Sequence, residues 1–233
     1  MTSTPAPKTR LIVPLDLDRL DEAAALVHRL GPAVEWYKVG KQLFTRHGPA
    51  AVQMLREAGK QVFLDLKFHD IPNTVAQAVR SAAAIGASLT NVHAAGGPAM
   101  LRAAAAAGRE SGVLLAAVTV LTSMDRADLA AVGIEAEPAQ QVVRLARLAC
   151  QCGVPAVVCS PLEIGLLRDA CGPELVLVVP GIRPTGAAAD DQKRIMTPRE
   201  AAAAGANFIV VGRPISAAPD PAAAAQAVLA DLG

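Results

Sequence analysis

Short apolar runs rich in β-branched residues alternate with longer segments of helical periodicity along the 233-residue chain. The short runs predict strands, and apolar residues spaced three and four apart predict helices. The predicted strands cover residues 10–17, 36–40, 61–68, 88–95, 113–121, 155–160, 175–182 and 207–215. The predicted helices cover Arg19–Leu30, Pro49–Ala58, Thr74–Ile85, Pro98–Glu110, Pro138–Gln151, Pro161–Ala170, Pro198–Ala204 and Pro221–Asp231. Proline near several helix starts fits its first-turn preference.

The strict alternation of eight strands and eight helices predicts parallel strands joined by helical crossovers. Eight such units in this length fit a single-domain (β/α)8 TIM barrel over residues 10–233. An open doubly wound sheet is the alternative, but it usually has a glycine-rich turn after its first strand, and "LIVPLDLDRLD" has none. Residues 1–9 are polar and contain proline, so we expect a frayed tail. Pro14 is unusual inside a strand because it cannot donate a ladder bond.

Composition narrows the choice of partners and compartment. The 22 basic and 21 acidic residues nearly balance, so bulk charge predicts neither a nucleic-acid nor a membrane partner. Every apolar run is interrupted before about 18 residues, and we expect a soluble, cytoplasmic protein. The four cysteines, at positions 150, 152, 159 and 171, form no CxxC pair. This spacing favours free thiols over a metal site.

Polar side chains occur where nearly every predicted strand ends, which is the edge where a barrel of this kind carries its chemistry. They are Asp16 after strand one, Lys38 in strand two, Asp65, Lys67 and Asp70 at the end of strand three, Asn91 and His93 in strand four, and Thr119, Thr122 and Ser123 after strand five. We interpret His69 and His93 either as structural residues or as residues that support the site from behind the groups that contact substrate, because no base or metal partner is evident for either.

Three charges lie within the stretch "DLKFHD", and two of them share one face of a strand. Asp65 and Lys67 are two residues apart, so both side chains point to the same side. Unpaired charges are costly to bury, and Lys38 and Asp16 could supply partners. We therefore expect an alternating array of Lys38, Asp65, Lys67 and Asp70. An ion network without a catalytic role is the alternative.

The ends of strands seven and eight suggest a phosphate site. "PGIRP" and "GRPI" place Gly181 with Arg183, and Gly212 with Arg213, in the loops that often hold phosphate in such barrels. Glycine lets backbone N–H groups approach an anion, and arginine gives bidentate contacts. The polar loop 183–198 is interpreted as a lid, into which Gln192 could reach; an ordinary surface loop is equally consistent.

The motifs together resemble the orotidine 5′-phosphate decarboxylase family in its short bacterial form. The resemblance runs from Leu11 to the C-terminus, and "DLKFHDIPNT" (65–74) is its most specific motif. "YKVGKQLF", "NVHAAGG", "AVTVLTSM", "VVPGIRP", "DQKRIMTP" and "VVGRP" follow the family's order. The resemblance implies conversion of orotidine 5′-monophosphate to UMP and carbon dioxide, without a metal or an organic cofactor.

The resemblance also assigns roles to individual residues. Lys67 would donate the proton, and Asp65 would lie beside the departing carboxylate. The implied substrate contacts are Lys38 and Asp16 at the ribose, Thr122 and Ser123 at the pyrimidine, Gly212, Arg213 and Gln192 at the phosphate, Arg183 at the start of the closing loop, and Ile71 and Pro180 elsewhere in the pocket. Asp70 and Thr74 would reach into the site of a neighbouring subunit, which implies a homodimer with shared active sites.

Two rival functions remain open from the sequence. A related barrel lyase uses Mg²⁺ on sugar phosphates and shares a D-x-K-x-x-D pattern, but it places an acid where Lys38 stands. An ammonium group at that position would repel the metal. The second rival is a barrel that binds a phosphate ligand without catalysis, for which a buried proton donor would have no use.

Overall fold

Eight parallel strands close into a barrel in the computed structural model, which describes residues 9–184 and 196–233. Each strand pairs with the next in chain order, and β8 pairs with β1. The strands are β1 Arg10–Pro14, β2 Trp36–Gly40, β3 Gln61–Phe68, β4 Leu89–His93, β5 Leu114–Val118, β6 Ala156–Val158, β7 Val176–Val179 and β8 Phe208–Val210. The predicted (β/α)8 barrel is confirmed.

Helices connect successive strands around the outside of the barrel. They are α1 Leu20–Leu30, α2 Lys41–His47, α3 Ala50–Glu57, α4 Pro72–Ala84, α5 Gly97–Ser111, α6 Arg126–Ala131, α7 Pro138–Gln151, α8 Ile164–Cys171, α9 Pro198–Ala204, α10 Arg213–Ser216 and α11 Pro221–Asp231. Several begin with proline in the first turn, where its missing N–H would be unpaired in any case.

Side chains alternate between two separate cores because successive strand residues face opposite sides of the sheet. The larger core lies between the strands and the helices, and includes Val13, Tyr37 and Leu64. The smaller core fills the barrel interior with Ile12, Trp36, Phe63, Leu89, Val178, Phe208 and Val210. Trp36 packs edge-on against Phe208, with ring centroids 5.0 Å apart. The floor of the barrel is therefore closed by apolar groups.

Six of the eight strands are shorter than the apolar runs that predicted them, whereas β2 and β3 have the predicted bounds. The expectation that the last strand extends to residue 215 is wrong: β8 ends at Val210, and Arg213 begins helix α10. Pro214 in the first turn of α10 favours a helix start over a continuing strand. The three short helices α2, α6 and α10 were not predicted, because fewer than three turns give little periodicity. A capping box at Asp125 and Asp128 is the local signal for α6.

Two expectations about the start of the chain change in the structure: that Pro14 disturbs the strand ladder, and that the frayed tail includes Thr9. Leu15 N–H donates to Lys38 O at 2.9 Å, and β1 pairs with β8 only as far as Ile12 and Val210. The missing N–H of Pro14 therefore interrupts no ladder on the β8 side. Of the predicted frayed tail, residues 1–8 lie outside the described residues. Thr9 is buried, and its hydroxyl donates to Ala206 O.

Candidate active site

Four polar side chains from β2, β3 and β4 form one cluster of hydrogen bonds and ion pairs inside the mouth of the barrel. Lys67 Nζ donates to Asp65 Oδ1 at 2.5 Å, and Asn91 Nδ2 donates to the same oxygen at 2.7 Å. Lys38 Nζ lies 3.6 Å from Asp65 Oδ2. We call Lys38, Asp65, Lys67 and Asn91 the charged wall. Asp16, at the rim, accepts a hydrogen bond from Lys38 Nζ at 3.0 Å.

Asp65 is the centre of the charged wall and is ionised. Burial acts to raise the pKa of its carboxyl, but Lys38, Lys67 and the hydrogen bonds from Lys67 and Asn91 together hold that pKa below its usual value. Only 8% of the residue is exposed to solvent. A buried carboxylate thus keeps two ammonium groups oriented toward the same space.

Lys67 adopts a backbone conformation that its sequence does not predict. Among the described residues it is the one non-glycine with a positive φ, +55°. The left-handed region costs an ordinary L-residue roughly 1–2 kcal/mol. The β3–β4 register shifts between Leu64 and Phe68, and Lys67 N–H donates to Asn91 Oδ1 at 2.8 Å. Asn91 therefore holds both the backbone of Lys67 and the carboxylate that pairs with its ammonium.

The charged wall lines one side of a cavity of about 170 Å³. The opposite side consists of Val118, Val158, Val178 and Val210, which we call the apolar wall. Phe63, one layer below, closes the floor, and Pro180 and Thr122 lie at the edge. The ammonium of Lys67 consequently faces an apolar surface, where a developing charge is poorly screened.

The structure brings most of the predicted site residues of β1–β5 together. The three residues predicted after β5 differ from one another in their exposure and contacts. Thr122 lines the cavity and is half-buried, whereas Ser123 is exposed and is not among the lining residues. Thr119 is buried, and its hydroxyl donates to Val158 O at 2.9 Å. The alternation predicted for β3 is confirmed, because Leu64, Leu66 and Phe68 pack with the outer core.

Asp70 does not join the array within its own chain, so that expectation needs correction. The chain leaves β3 at the left-handed Lys67, and the Asp70 carboxylate accepts a hydrogen bond from Ile71 N–H at 2.6 Å. Asp70, Ile71 and Thr74 are all exposed, and Ile71 is 67% exposed. Asp70 and Ile71 line an open groove with Gly96 and Met100 rather than the cavity.

The predicted phosphate residues surround the edge where β7 and β8 end. Gly212 precedes α10, and a β-carbon there would lie 3.1 Å from Pro14 Cγ, so the position favours glycine. Arg213 follows and is exposed. Arg183 is buried, and its guanidinium donates to Ile182 O at 3.1 Å. Gln192 lies outside the described residues, as does most of the predicted lid.

Asn91 is the residue of the site that the sequence analysis did not assign to it. The sequence predicts it only as one of several polar residues near the ends of strands. Its inward register, opposite the apolar Ala116 of β5, was the available signal: a fully buried amide in a barrel interior needs partners. Asp65 and Lys67 are those partners.

The described part of the chain has neither a metal-binding cluster nor a membrane-spanning helix. No group of three or more histidine, cysteine, aspartate or glutamate side chains there could hold a metal ion. None of the helices in the same ranges has the length and apolar character needed to cross a membrane. The four cysteines are free thiols.

Comparisons with known proteins agree with this architecture. The profile of the Orotidine 5'-phosphate decarboxylase / HUMPS family matches residues 9–228. A relative from Moorella thermoacetica named orotidine 5'-phosphate decarboxylase is 54% identical, covering 97% of this chain and 92% of the relative. One of the same name from Chromohalobacter salexigens is 54% identical, with 96% of each chain covered. The crystal structure of orotidine 5'-phosphate decarboxylase from Lactobacillus acidophilus superposes with a TM-score of 0.85 at 37% identity, covering 97% and 99% of the two chains. The chain belongs to the orotidine 5′-phosphate decarboxylase / HUMPS family.

Proposed function

We propose that this barrel converts orotidine 5′-monophosphate to UMP and carbon dioxide, the last step of de novo pyrimidine synthesis, without a metal or an organic cofactor. The observation that carries the proposal is the Lys67 ammonium, fixed on Asp65 and facing the apolar wall of a closed-floor cavity. The names of relatives that are about half identical over nearly the whole chain support the same activity.

Lys67 is the proposed proton donor. Loss of carbon dioxide leaves an electron pair on an sp² ring carbon, and the ring offers no position that delocalises it. The C–C bond electrons remain on that carbon, carbon dioxide departs, and the ammonium stabilises the charge before giving it a proton. A donor held in place by Asp65 needs no reorientation during the reaction, which is the advantage of a preorganised site.

Asp65 is proposed to lie beside the substrate carboxylate. Two charges 4 Å apart at an effective dielectric constant of 20 interact by about 4 kcal/mol. Enzymes lower barriers by about 8–23 kcal/mol, so repulsion by Asp65 alone does not account for catalysis. The larger share is therefore assigned to Lys67 acting on the carbanion, with Asp65 holding Lys67 and Lys38 in position.

The remaining site residues are proposed to bind the substrate at a distance from the reacting carbon. Lys38 and Asp16 form a pair at the rim, suited to the ribose hydroxyls. Thr122 and Ser123 are assigned to the pyrimidine, with Ile71 and Pro180 as further contacts. Gly212, Arg213, Gln192 and Arg183 are assigned to the phosphate and the closing loop. Binding energy from the phosphate would orient the base over Lys67.

A cytoplasmic homodimer with shared sites completes the proposal, the catalytic barrel being residues 10–233. Asp70 and Thr74 are exposed and lie outside the cavity of their own chain, as residues contributed to a neighbour would.

Mixing Lys67→Ala chains with Asp70→Ala chains tests whether the two residues act in one site from different subunits. If the residues come from different subunits, half of the dimers carry one intact site, and about a quarter of wild-type activity returns. If both act within one chain, mixing restores nothing.

The decisive experiment is the loss of orotidine 5′-monophosphate absorbance, measured with and without EDTA. We expect full turnover in the chelator. The rival Mg²⁺-dependent lyase would lose activity there, and it would have to place a cation beside the Lys38 ammonium, 3.6 Å from Asp65. A barrel that only binds phosphate ligands would show no turnover in either condition, which would overturn the proposal.

A further inference from the structure

Two histidines lie directly beyond the irregular end of β3. Phe68 on β3 is in register with Val92 on β4. Lys67 and His69 therefore flank one member of this pair, and Asn91 and His93 flank the other. Asn91 holds Lys67 from below through its side-chain oxygen. The rings of His69 and His93 lie in tilted contact above, with centroids 5.6 Å apart and an angle of 39° between planes.

The imidazole of His69 also lies close to the backbone of Gly96. A β-carbon at Gly96 would lie 3.3 Å from His69 Cδ2 and would collide with the Met100 side chain. The ring of His69 is thus close to both His93 and the Gly96 turn, although the residue as a whole is exposed. Neither histidine has a role in the proposed chemistry.

The charges around His93 favour its neutral form. Lys67 and Asp65 act on it from β3, His69 from the following turn, and Lys41 from α2, while β5 faces it with the uncharged Val118. Burial, then His69, Lys67 and Lys41, lower the pKa of His93, and Asp65 opposes them. A neutral His93 ring can remain in contact with His69, whereas a protonated His93 would add a third positive charge beside Lys67 and Lys41.

We propose that the His69–His93 ring pair is a positioning device for Lys67: the contact fixes the turn after β3, so that the left-handed backbone of Lys67 keeps the ammonium on Asp65. Lys67 is then held from two sides. Asn91 holds it on the N-terminal side of Phe68, and the imidazole pair fixes the chain on the C-terminal side of Phe68. The kinetic consequences rest on the proposed decarboxylase function, whereas the effect on Lys67 does not.

A double-mutant cycle tests whether the two rings act as one unit. His69→Ala and His93→Ala are each expected to lower kcat about 10–100-fold, the scale expected for a misplaced catalytic group, and to change KM little. The double variant should be no worse than the worse single variant, because either change breaks the same contact. His69→Phe, which keeps a ring at an exposed position, should restore most of kcat. His28→Ala, on the exposed face of α1, is the matched control.

The acid side of the kcat–pH profile gives a second kinetic readout. Protonation of His93 below pH 6.5 should weaken the pair in the wild type, and His93→Phe should lose that fall in kcat. Additive losses in the double variant, failure of His69→Phe to restore kcat, or an unchanged acid limb in His93→Phe would each overturn the proposal.

NMR of the lysine side chains separates this inference from the proposed function. The Lys67 side-chain resonances should shift in His69→Ala and in His93→Ala, and stay in place in His28→Ala. That result would support the positioning device even if the wild type failed to decarboxylate orotidine 5′-monophosphate. Unperturbed Lys67 resonances in both variants would refute the device even in an active enzyme.

Discussion

The two walls of the cavity are built by the same alternation of strand residues, yet one presents charged and polar side chains and the other presents only apolar ones. The charged wall comes from β2–β4, and its polar groups bind one another through Asp65. The apolar wall comes from β5–β8 and offers only valine side chains. Each wall depends on the other: the charges hold one another in place, and the valines keep the space above Lys67 low in dielectric, where an ammonium acts most strongly on a nearby carbanion.

The asymmetry is confined to the layer at the mouth. Below the charged wall, Trp36, Phe63 and Leu89 continue β2, β3 and β4 into the interior core, and Phe208 lies there on the side of the apolar wall. On β2, β3 and β4 the functional side chains therefore follow an inward apolar residue that secures the barrel. Substitutions at the mouth should affect kcat more than folding, and each wall should respond in its own way.

Lys67→Ala breaks the charged wall with the largest effect. It removes the proposed proton donor, a contribution of about 10²–10⁴-fold in rate. It also removes the charge that stabilises the carbanion, a contribution of about 10²–10³-fold. We expect turnover to fall by about 10⁴ or more in the absorbance assay, with a circular dichroism spectrum like that of the wild type. Lys67→Arg, which keeps the charge but gives up its proton much less readily, should also be inactive. Near-normal activity in the alanine variant would remove the assignment of Lys67.

Arg213→Ala leaves both walls intact and alters only the edge beyond β8. Loss of a charge-assisted bidentate contact should lower kcat/KM for orotidine 5′-monophosphate by about 10³, equivalent to about 4 kcal/mol. The same change should have little effect on the unphosphorylated nucleoside. Comparing kcat/KM for the two substrates isolates the phosphate contact, and equal losses on both would show that Arg213 does not bind it.

Val158→Thr introduces a hydroxyl into the apolar wall without changing its shape much. The hydroxyl and any water it recruits should screen the ammonium, and we expect kcat to fall about 10-fold, on the scale of 1–3 kcal/mol for a poorly compensated polar group. Val157→Thr is the matched control, because Val157 is fully buried on the opposite face of β6, toward the helices. It should lower the free energy of unfolding while leaving kcat nearly unchanged. The reverse pattern would contradict the role given to the apolar wall.

The charged wall also shows where prediction from the sequence succeeds and where it stops. Period-two alternation places Asp65 and Lys67 on one face, and strand ends place Lys38 and Asp16 beside them, as observed. The left-handed backbone of Lys67 has no local signal, because lysine does not favour it and the side chain of Asn91 on another strand holds it. Asp70 was misplaced within the chain because it was expected to join the array from the loop after β3, whereas the chain turns away at the bulge and the Asp70 carboxylate accepts from Ile71 N–H. The helices α2 and α10 were missed because a few residues carry no period.

The smallest expected effect concerns the contribution of Asp65 to stability in acid. Its folded-state pKa lies below the ordinary value of 3.8, so the unfolded chain takes up the proton first as pH falls. The stabilisation is complete above pH 3.8 and is lost as the pH drops through the folded-state pKa, by about 1.4 kcal/mol for each pH unit that separates the two values. Urea unfolding of wild type and Asp65→Asn should therefore give free energies that differ at neutral pH and converge in acid. Asp169→Asn, on the exposed surface of α8, should follow the wild type throughout. Wild-type and Asp65→Asn curves that stayed parallel down to the acid end would mean that Asp65 is not the carboxylate that holds the charged wall together.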